Sequence, residues 1–379
     1  MKPKCWWWLV GLLSLGLLGA TLALPAPATA KVFLYALTLD GDLIKYDPDA
    51  DQIVQVRPGV GGEHINPRNP DRDNFQPHRI LDVARGRIVT FTDEDPGVEV
   101  LDLRTGTATG IAVASPQPAF QLKHLIYPRQ ASRFYVQWVR LPNPTDPAGP
   151  FLTAVGLDGR ILATTPSMID RTFGASIPHP DGRTFYVLNS PNELLRVDGE
   201  TLAVQERYDL SPFYRAGAVR HGIADVRDGR ALLTEGAGTG TGYLDPRIVS
   251  TVDLATRTAS PRIATGLGAS TLRLAPGGRT IVLQEARTAY DQGGAGRVHM
   301  YDVASGTKLG MVSFGADGGA TLRGFHPDGR RLFIRTLNAD PSTGDLESWL
   351  VVVDVVTRQV VVNRRFNAIG FAVDFVDEP

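Results

Sequence analysis

The chain of 379 residues has one cysteine, Cys5, and its position removes most thiol chemistry. Cys5 precedes the apolar run Trp6 to Leu24, whereas a lipid-attachment cysteine follows such a run. Loss of the first thirty residues would leave no thiol. Disulfides, thiolate metal ligands, haem attachment through Cys-x-x-Cys-His and cysteine nucleophiles are then all excluded. Tryptophan is nearly as scarce: beyond Trp6, Trp7 and Trp8, only Trp138 and Trp349 remain. That argues against a propeller with a tryptophan in every blade and against a lectin of stacked indoles. Basic stripes are missing too. The formal charge is −1, about −3 without Lys2 and Lys4, so nucleic acid is not an expected partner. No Gly-x-Ser-x-Gly elbow occurs. After residue 30 no amphipathic helix of useful length can be read.

The first thirty residues read as a signal peptide. Lys2 and Lys4 start it positively, and Ala28-Thr29-Ala30 offers the small-x-small cleavage pattern. The run is also long enough to span a bilayer, and Trp6 to Trp8 beside two lysines resemble an interfacial belt. Pro25 and Pro27 favour cleavage, because they break a helix where a spanning segment would continue. Either way residues 31–379 are expected outside the cytoplasm, in the periplasm or beyond, with membrane contact only if the segment is retained.

What the chain has is a repeat. Asp47, Asp102, Asp158, Asp198, Asp253, Asp302 and Asp354 each end an apolar run and precede a turn. The steps between them are 55, 56, 40, 55, 49 and 52 residues. Between them recur Asp-Gly and Gly-Gly turns, as in His179-Pro180-Asp181-Gly182, Asp228-Gly229, Gly277-Gly278 and His326-Pro327-Asp328-Gly329. β-Rich segments follow, such as Thr184 to Asn189, Thr280 to Leu283 and Arg331 to Arg335. Four short strands per unit of about 50 residues, seven times over, predict an all-β, seven-bladed propeller of four-stranded antiparallel blades over residues 31–379. Val32 to Leu37 reads as a second strand lacking a first, and Ile369 to Phe375 as a first strand lacking a sequel. The two should share one blade and close the ring. The periodic aspartates are expected to accept N–H groups of the turns that follow them.

Tyr186-Val187-Leu188-Asn189, followed by Asn192-Glu193-Leu194-Leu195-Arg196-Val197-Asp198, resembles the YVTN-repeat family of β-propellers, with Leu188 in place of the threonine. The unit with Pro327-Asp328-Gly329 and Asp354 is the next best match. The resemblance covers residues 31–379 in period and turns. It implies the fold; relatives of this architecture include lactone hydrolases, an antibiotic lyase, cofactor-free amine dehydrogenase subunits and binding proteins, among which fold does not choose.

Long connections are expected on one end of the ring: Pro58 to Pro77, Leu141 to Pro150, Gly236 to Pro246, Ala286 to Gly296 and Asn338 to Glu347. Insertions gathered on one rim suggest a binding surface. Histidines His64, His78, His124 and His221 fall beside this rim, with Glu63, Glu235 and Glu285. Glu63, His64, Glu235 and Glu285 could hold a divalent cation, and His64, His221, Glu235 and Glu285 could serve as acid and base. No local ligand spacing supports the cation. His179 and His326 precede turns on the other end and read as structural. The glycine run Gly236 to Gly242 has no helix after it and so is not a phosphate loop. Tyr127, Tyr214, Tyr243 and Tyr290 offer aromatic contacts, although tyrosines in propellers are mostly packing residues. The leading expectation is a cofactor-free module that binds a protein or small molecule through the long-loop rim. Alternatives are a metal-assisted lactone hydrolase or lyase at the channel mouth, and an accessory subunit of an envelope oxidoreductase.

Overall fold

The computed structural model describes residues 31–38, 42–60, 79–92, 97–113, 120–126, 133–140, 151–165, 176–178, 183–190, 192–216, 220–236, 246–266, 269–286, 294–315, 319–339, 342–343, 346–365 and 369–378. Among them the secondary structure is strand, broken only by two short 3-10 turns, Val83–Arg85 and Ser211–Phe213. The strands form a seven-bladed propeller within the compact unit Val32–Val376.

Blade 1 is the shared one: Ile369–Glu378 lies beside Lys31–Thr38, which pairs Leu43–Asp47, which pairs Gln52–Arg57. The last strand of the chain therefore supplies the inner strand of the first blade, as the ends of the sequence imply. Blade 2 comprises Arg79–Asp82, Arg87–Thr92, Gly97–Asp102 and Ala108–Ala112. Blade 3 comprises Phe120–Ile126, Arg133–Arg140, Phe151–Gly156 and Ile161–Thr164; blade 4 comprises Ser176–Pro178, Thr184–Ser190, Glu193–Asp198 and Val204–Asp209. Blade 5 is Arg220–Arg227, Arg230–Gly236, Pro246–Asp253 and Thr258–Ala259, with Ile263–Ala264 also on its third strand. Blades 6 and 7 are Ala269–Leu274, Thr280–Ala286, Gly294–Asp302, Lys308–Ser313 and Gly319–Phe325, Arg331–Ala339, Leu346–Asp354, Gln359–Arg365.

Alternation along each strand builds the core between blades rather than within them. On the second strand of blade 5, Ala231 and Leu233 pack with Tyr186, Leu194 and Tyr208 of blade 4. Leu232, between them, packs with Leu272, Leu274, Ile281 and Leu283 of blade 6. Seven such apolar clusters fill the seven seams, including the closing one, where Leu34, Ala36, Ile44 and Tyr46 meet Phe333, Leu350 and Val352. Because each blade is sandwiched by two others, truncating a buried leucine to alanine should cost about 2–5 kcal/mol.

The periodic aspartates end the third strands and cap the turns into the fourth. Asp47 accepts from the N–H groups of Asp49 and Ala50 at 2.9 and 3.1 Å, Asp198 from Glu200 and Thr201 at 2.9 and 2.8 Å, and Asp354 from Val356 and Thr357 at 2.9 and 2.7 Å. Asp102, Asp253 and Asp302 do the same. Donated N–H groups favour the ionised form. Thr105, Thr201 and Thr256 N–H thus hold Asp102, Asp198 and Asp253 below the usual carboxylate range, and the Ser305 hydroxyl and N–H hold Asp302 there. Burial opposes the shift at Asp354, but Thr357 N–H and the Arg330 guanidinium outweigh it.

Blade 3 departs from this pattern. The position opposite the start of its second strand is Gly156, paired with Arg133, and Asp158 lies two residues later inside a tighter turn. Asp158 still accepts an N–H, from Arg160 at 3.1 Å. Gly156 lets the Asp158 carboxylate fold back over the turn: a Cβ there would stand 2.5 Å from its oxygen and displace it.

The turns also join blade to blade. The fourth residue after the aspartate is left-handed in the other six blades: Asp51, Gly106, Leu202, Arg257, Gly306 and Arg358. Four of these are not glycine, although that conformation costs an L-residue roughly 1 kcal/mol. Each of the four reaches the preceding blade. Leu202 enters the seam with Tyr135, Leu152 and Ala154, and Arg257 pairs with Glu206 at 3.3 Å and lies over the Tyr208 ring. Arg358 donates to Leu309 O, and Asp51 pairs with Arg364.

Candidate binding rim

Second strands end and third strands begin at one end of the propeller, the loop end; the aspartate turns lie at the other, the turn end. Glu235 and Glu285 occupy the same place in neighbouring blades, five residues beyond the second-strand starts Arg230 and Thr280, which pair with Asp253 and Asp302. Both positions share a strand face with a leucine (Leu233, Leu283) that packs in the seam with the preceding blade. Glu235 therefore belongs to the seam between blades 4 and 5, and Glu285 to that between blades 5 and 6.

Glu235 is 4 % exposed. Its Oε1 accepts from Arg215 N–H at 3.2 Å and pairs with Arg262 Nε at 3.4 Å. Its Oε2 is buried and has no partner among the described residues. Beside it, burial first and the Glu235 charge second push the Tyr214 phenol far above its ordinary range. His221 stands directly across from Glu235 in the strand pairing, so two residues expected at the rim share one register position.

Glu285 is held differently. Its Oε1 pairs with Arg297 Nη2 and its Oε2 with His299 Nε2, both at 3.0 Å. His299 is 3 % exposed, and its Nδ1 has no partner among the described residues. Composition gave no reason to single out His299, since its neighbours in sequence carry no motif. Only the pairing of Leu283 with His299, which sets the ring beside the glutamate, reveals it. A carboxylate–imidazole pair of this kind can orient a ring and relay a proton.

Glu–Arg pairing recurs at this end, with Glu193–Arg207 at 3.2 Å in blade 4 and Glu347–Arg365 in blade 7. Together with the pairs of Glu235 and Glu285, four successive blades carry one. Among the described residues no group of three or more His, Cys, Asp or Glu side chains could hold a metal ion.

Glu63, His64, His78 and His179 lie outside the described residues, as do Tyr127, Tyr243, Tyr290 and most of the long connections. His124 stands on the inner strand of blade 3, across from Gln137. Tyr214 is buried in the seam between blades 4 and 5, a packing residue as expected. His326 is structural, as its place before a turn implies: buried at the turn end, its Nδ1 lies 2.9 Å from Asp328. Trp138 is buried and donates to Thr153 Oγ1 at 3.0 Å.

No protein-family model matches the sequence, and no curated protein matches it. Among solved structures the chain is similar to the dihydro-heme d1 dehydrogenase NirN in complex with DHE, with a TM-score of 0.53 and 13 % identity. The match covers 91 % of this chain and 75 % of that one, and at this identity it speaks to the fold alone.

Proposed function

We propose that the chain is an exported, cofactor-free propeller of the YVTN-repeat kind that binds a protein or small molecule through its loop end. The observation that carries this reading is the unequal use of polar groups at the two ends. At the turn end the periodic aspartates are held by turn N–H groups, whereas at the loop end Glu235 Oε2 and His299 Nδ1 have no partner among the described residues. Connections between second and third strands also carry Asp93-Glu94-Asp95, Asp146, Asp245, Asp291, Asp340 and Asp345 against a single basic residue, Arg287. That composition suits a partner with a positively charged surface, whose capture should weaken with salt.

The test is retention of material from an envelope extract by the immobilised chain. Replacing residues 141–150 with a glycine–serine linker should abolish retention, while Arg104→Ala at the turn end should leave it intact. The opposite pattern overturns the reading.

A second reading, a lactone hydrolase or lyase, draws on the Glu285–His299 pair. Hydrolysis of simple lactones that His299→Gln abolishes would favour it, and elemental analysis of the purified chain would say whether a divalent cation takes part. A third reading is an accessory subunit of an envelope oxidoreductase, whose redox centre would lie on a partner chain.

A further inference from the structure

We propose that the outer strand of blade 1, Gln52–Arg57, is a self-association edge through which two copies of the chain pair antiparallel. This strand ends its sheet, so one side of its backbone has no partner strand. Its residues Gln52 to Val56 are all exposed, with Ile53, Val54 and Val56 at 43, 48 and 49 %.

The outer strands of blades 2, 4 and 6 behave differently, for a reason visible in the register. Ile111, Tyr208 and Val312 each lie opposite the residue four before the periodic aspartate, and each is buried in a seam. In blade 1 the residue in that place, opposite Leu43, is Arg57. Its guanidinium reaches Leu103 O of blade 2 at 2.5 Å, so no apolar side chain of this strand is drawn into a seam.

The edge is also unguarded. Natural edge strands are blunted by charges: blade 4 carries Glu206, Arg207 and Asp209 on its outer strand, and blade 7 carries Arg364 and Arg365. Gln52 to Val56 has no charge, no proline and no glycine, a composition that favours strand pairing. On blade 7, tied to this region by Arg364 donating to Asp51 O at 3.0 Å, Val356 and Val361 are 65 and 50 % exposed.

Charge selects a second copy as the occupant. Asp51 precedes the strand and Arg57 ends it. Antiparallel pairing about a two-fold axis brings the acidic end of one copy to the basic end of the other, with only Gln, Ile and Val between. A strand of six residues gives an interface at the small end of the specific range, so a dissociation constant on the order of 10 μM is expected.

Sedimentation velocity of the chain from about 1 to 200 μM, spanning that constant, tests the proposal. Wild type should shift from monomer to dimer across the range. Val54→Lys and Val56→Lys, both at exposed positions, should weaken association at least tenfold, the first because pairing sets the two new ammonium groups across from each other, the second because it removes apolar contact from a six-residue edge. Val54→Thr should retain it, and circular dichroism melts should show all three folded. A wild type that stays monomeric throughout, or lysine variants that dimerise as wild type does, would overturn the proposal.

Discussion

The two ends of this propeller spend their polar groups in opposite ways. At the turn end, aspartates take backbone N–H groups, and the residue after the aspartate donates to the neighbouring turn in five blades: Leu103 to Gly86, Gly199 to Arg183, Leu254 to Gly229, Val303 to Arg279 and Val355 to Arg330. At the loop end, glutamates pair with the side chains of Arg207, Arg262, Arg297 and Arg365, each about half exposed. A local, repeated and backbone-directed network makes structure. The loop-end pairs are built from side chains and, among the described residues, lie in blades 4 to 7.

The largest expected break in this comparison is acid. Asp102, Asp198, Asp253, Asp302 and Asp354 all have folded-state values below the ordinary 3.8. A depressed value stabilises the fold fully above the unfolded value and loses that contribution as pH falls through the folded one. Urea midpoints should therefore hold steady down to about pH 4 and drop steeply below it. Replacing the five with asparagine keeps an acceptor but removes the titration, so the drop should flatten. An equal drop in that variant would mean the caps are not its source.

Asp225 sharpens the contrast within one residue. It is buried near the turn end of blade 5, accepts from Val226 N–H, and its second oxygen takes Leu274 N–H of blade 6 at 2.9 Å. Asp225→Ala strands a buried donor and should cost about 2–3 kcal/mol in urea denaturation. The left-handed turn positions come next. Leu202→Gly relieves backbone strain but empties part of a seam, for a net loss of about 2 kcal/mol. Arg358→Gly relieves the same strain and gives up one exposed contact, so its midpoint should move by less than about 0.5 kcal/mol.

How far the sequence could be read follows the same division. Period, aspartate caps and the closing strand exchange are local or repeated signals, and each stands in the structure at Asp47, at Asp354 and at the pairing of residues 31–38 with 369–378. The shift at Asp158 escaped because the sequence shows an aspartate at nearly the right interval, whereas register puts Gly156 in its place. Left-handed Leu202, Arg257 and Arg358 escaped because only contact with the preceding blade compensates their backbone. At the rim, Glu235 and Glu285 could be placed at second-strand ends from the repeat. His299 could not, since the ring is set beside Glu285 by pairing across strands whose connection, residues 287–293, has no fixed length in the repeat.

The smallest stability effect is expected where the functional effect should be greatest. Glu285→Gln removes a charge shared with Arg297, which is half exposed, and keeps an acceptor for His299. Exposed ion pairs contribute about 0–1 kcal/mol, so the urea midpoint should barely move. Glu235 is buried, so Glu235→Gln should cost more, about 1 kcal/mol, held down because Arg262 is 46 % exposed and Arg215 N–H keeps an acceptor. If the loop end binds through these carboxylates, both variants should lose capture of a cationic partner while melting close to wild type. Asp354→Asn should do the reverse. A glutamate variant that melts early and still binds would assign Glu235 and Glu285 to the scaffold, and would erase the distinction between the two ends.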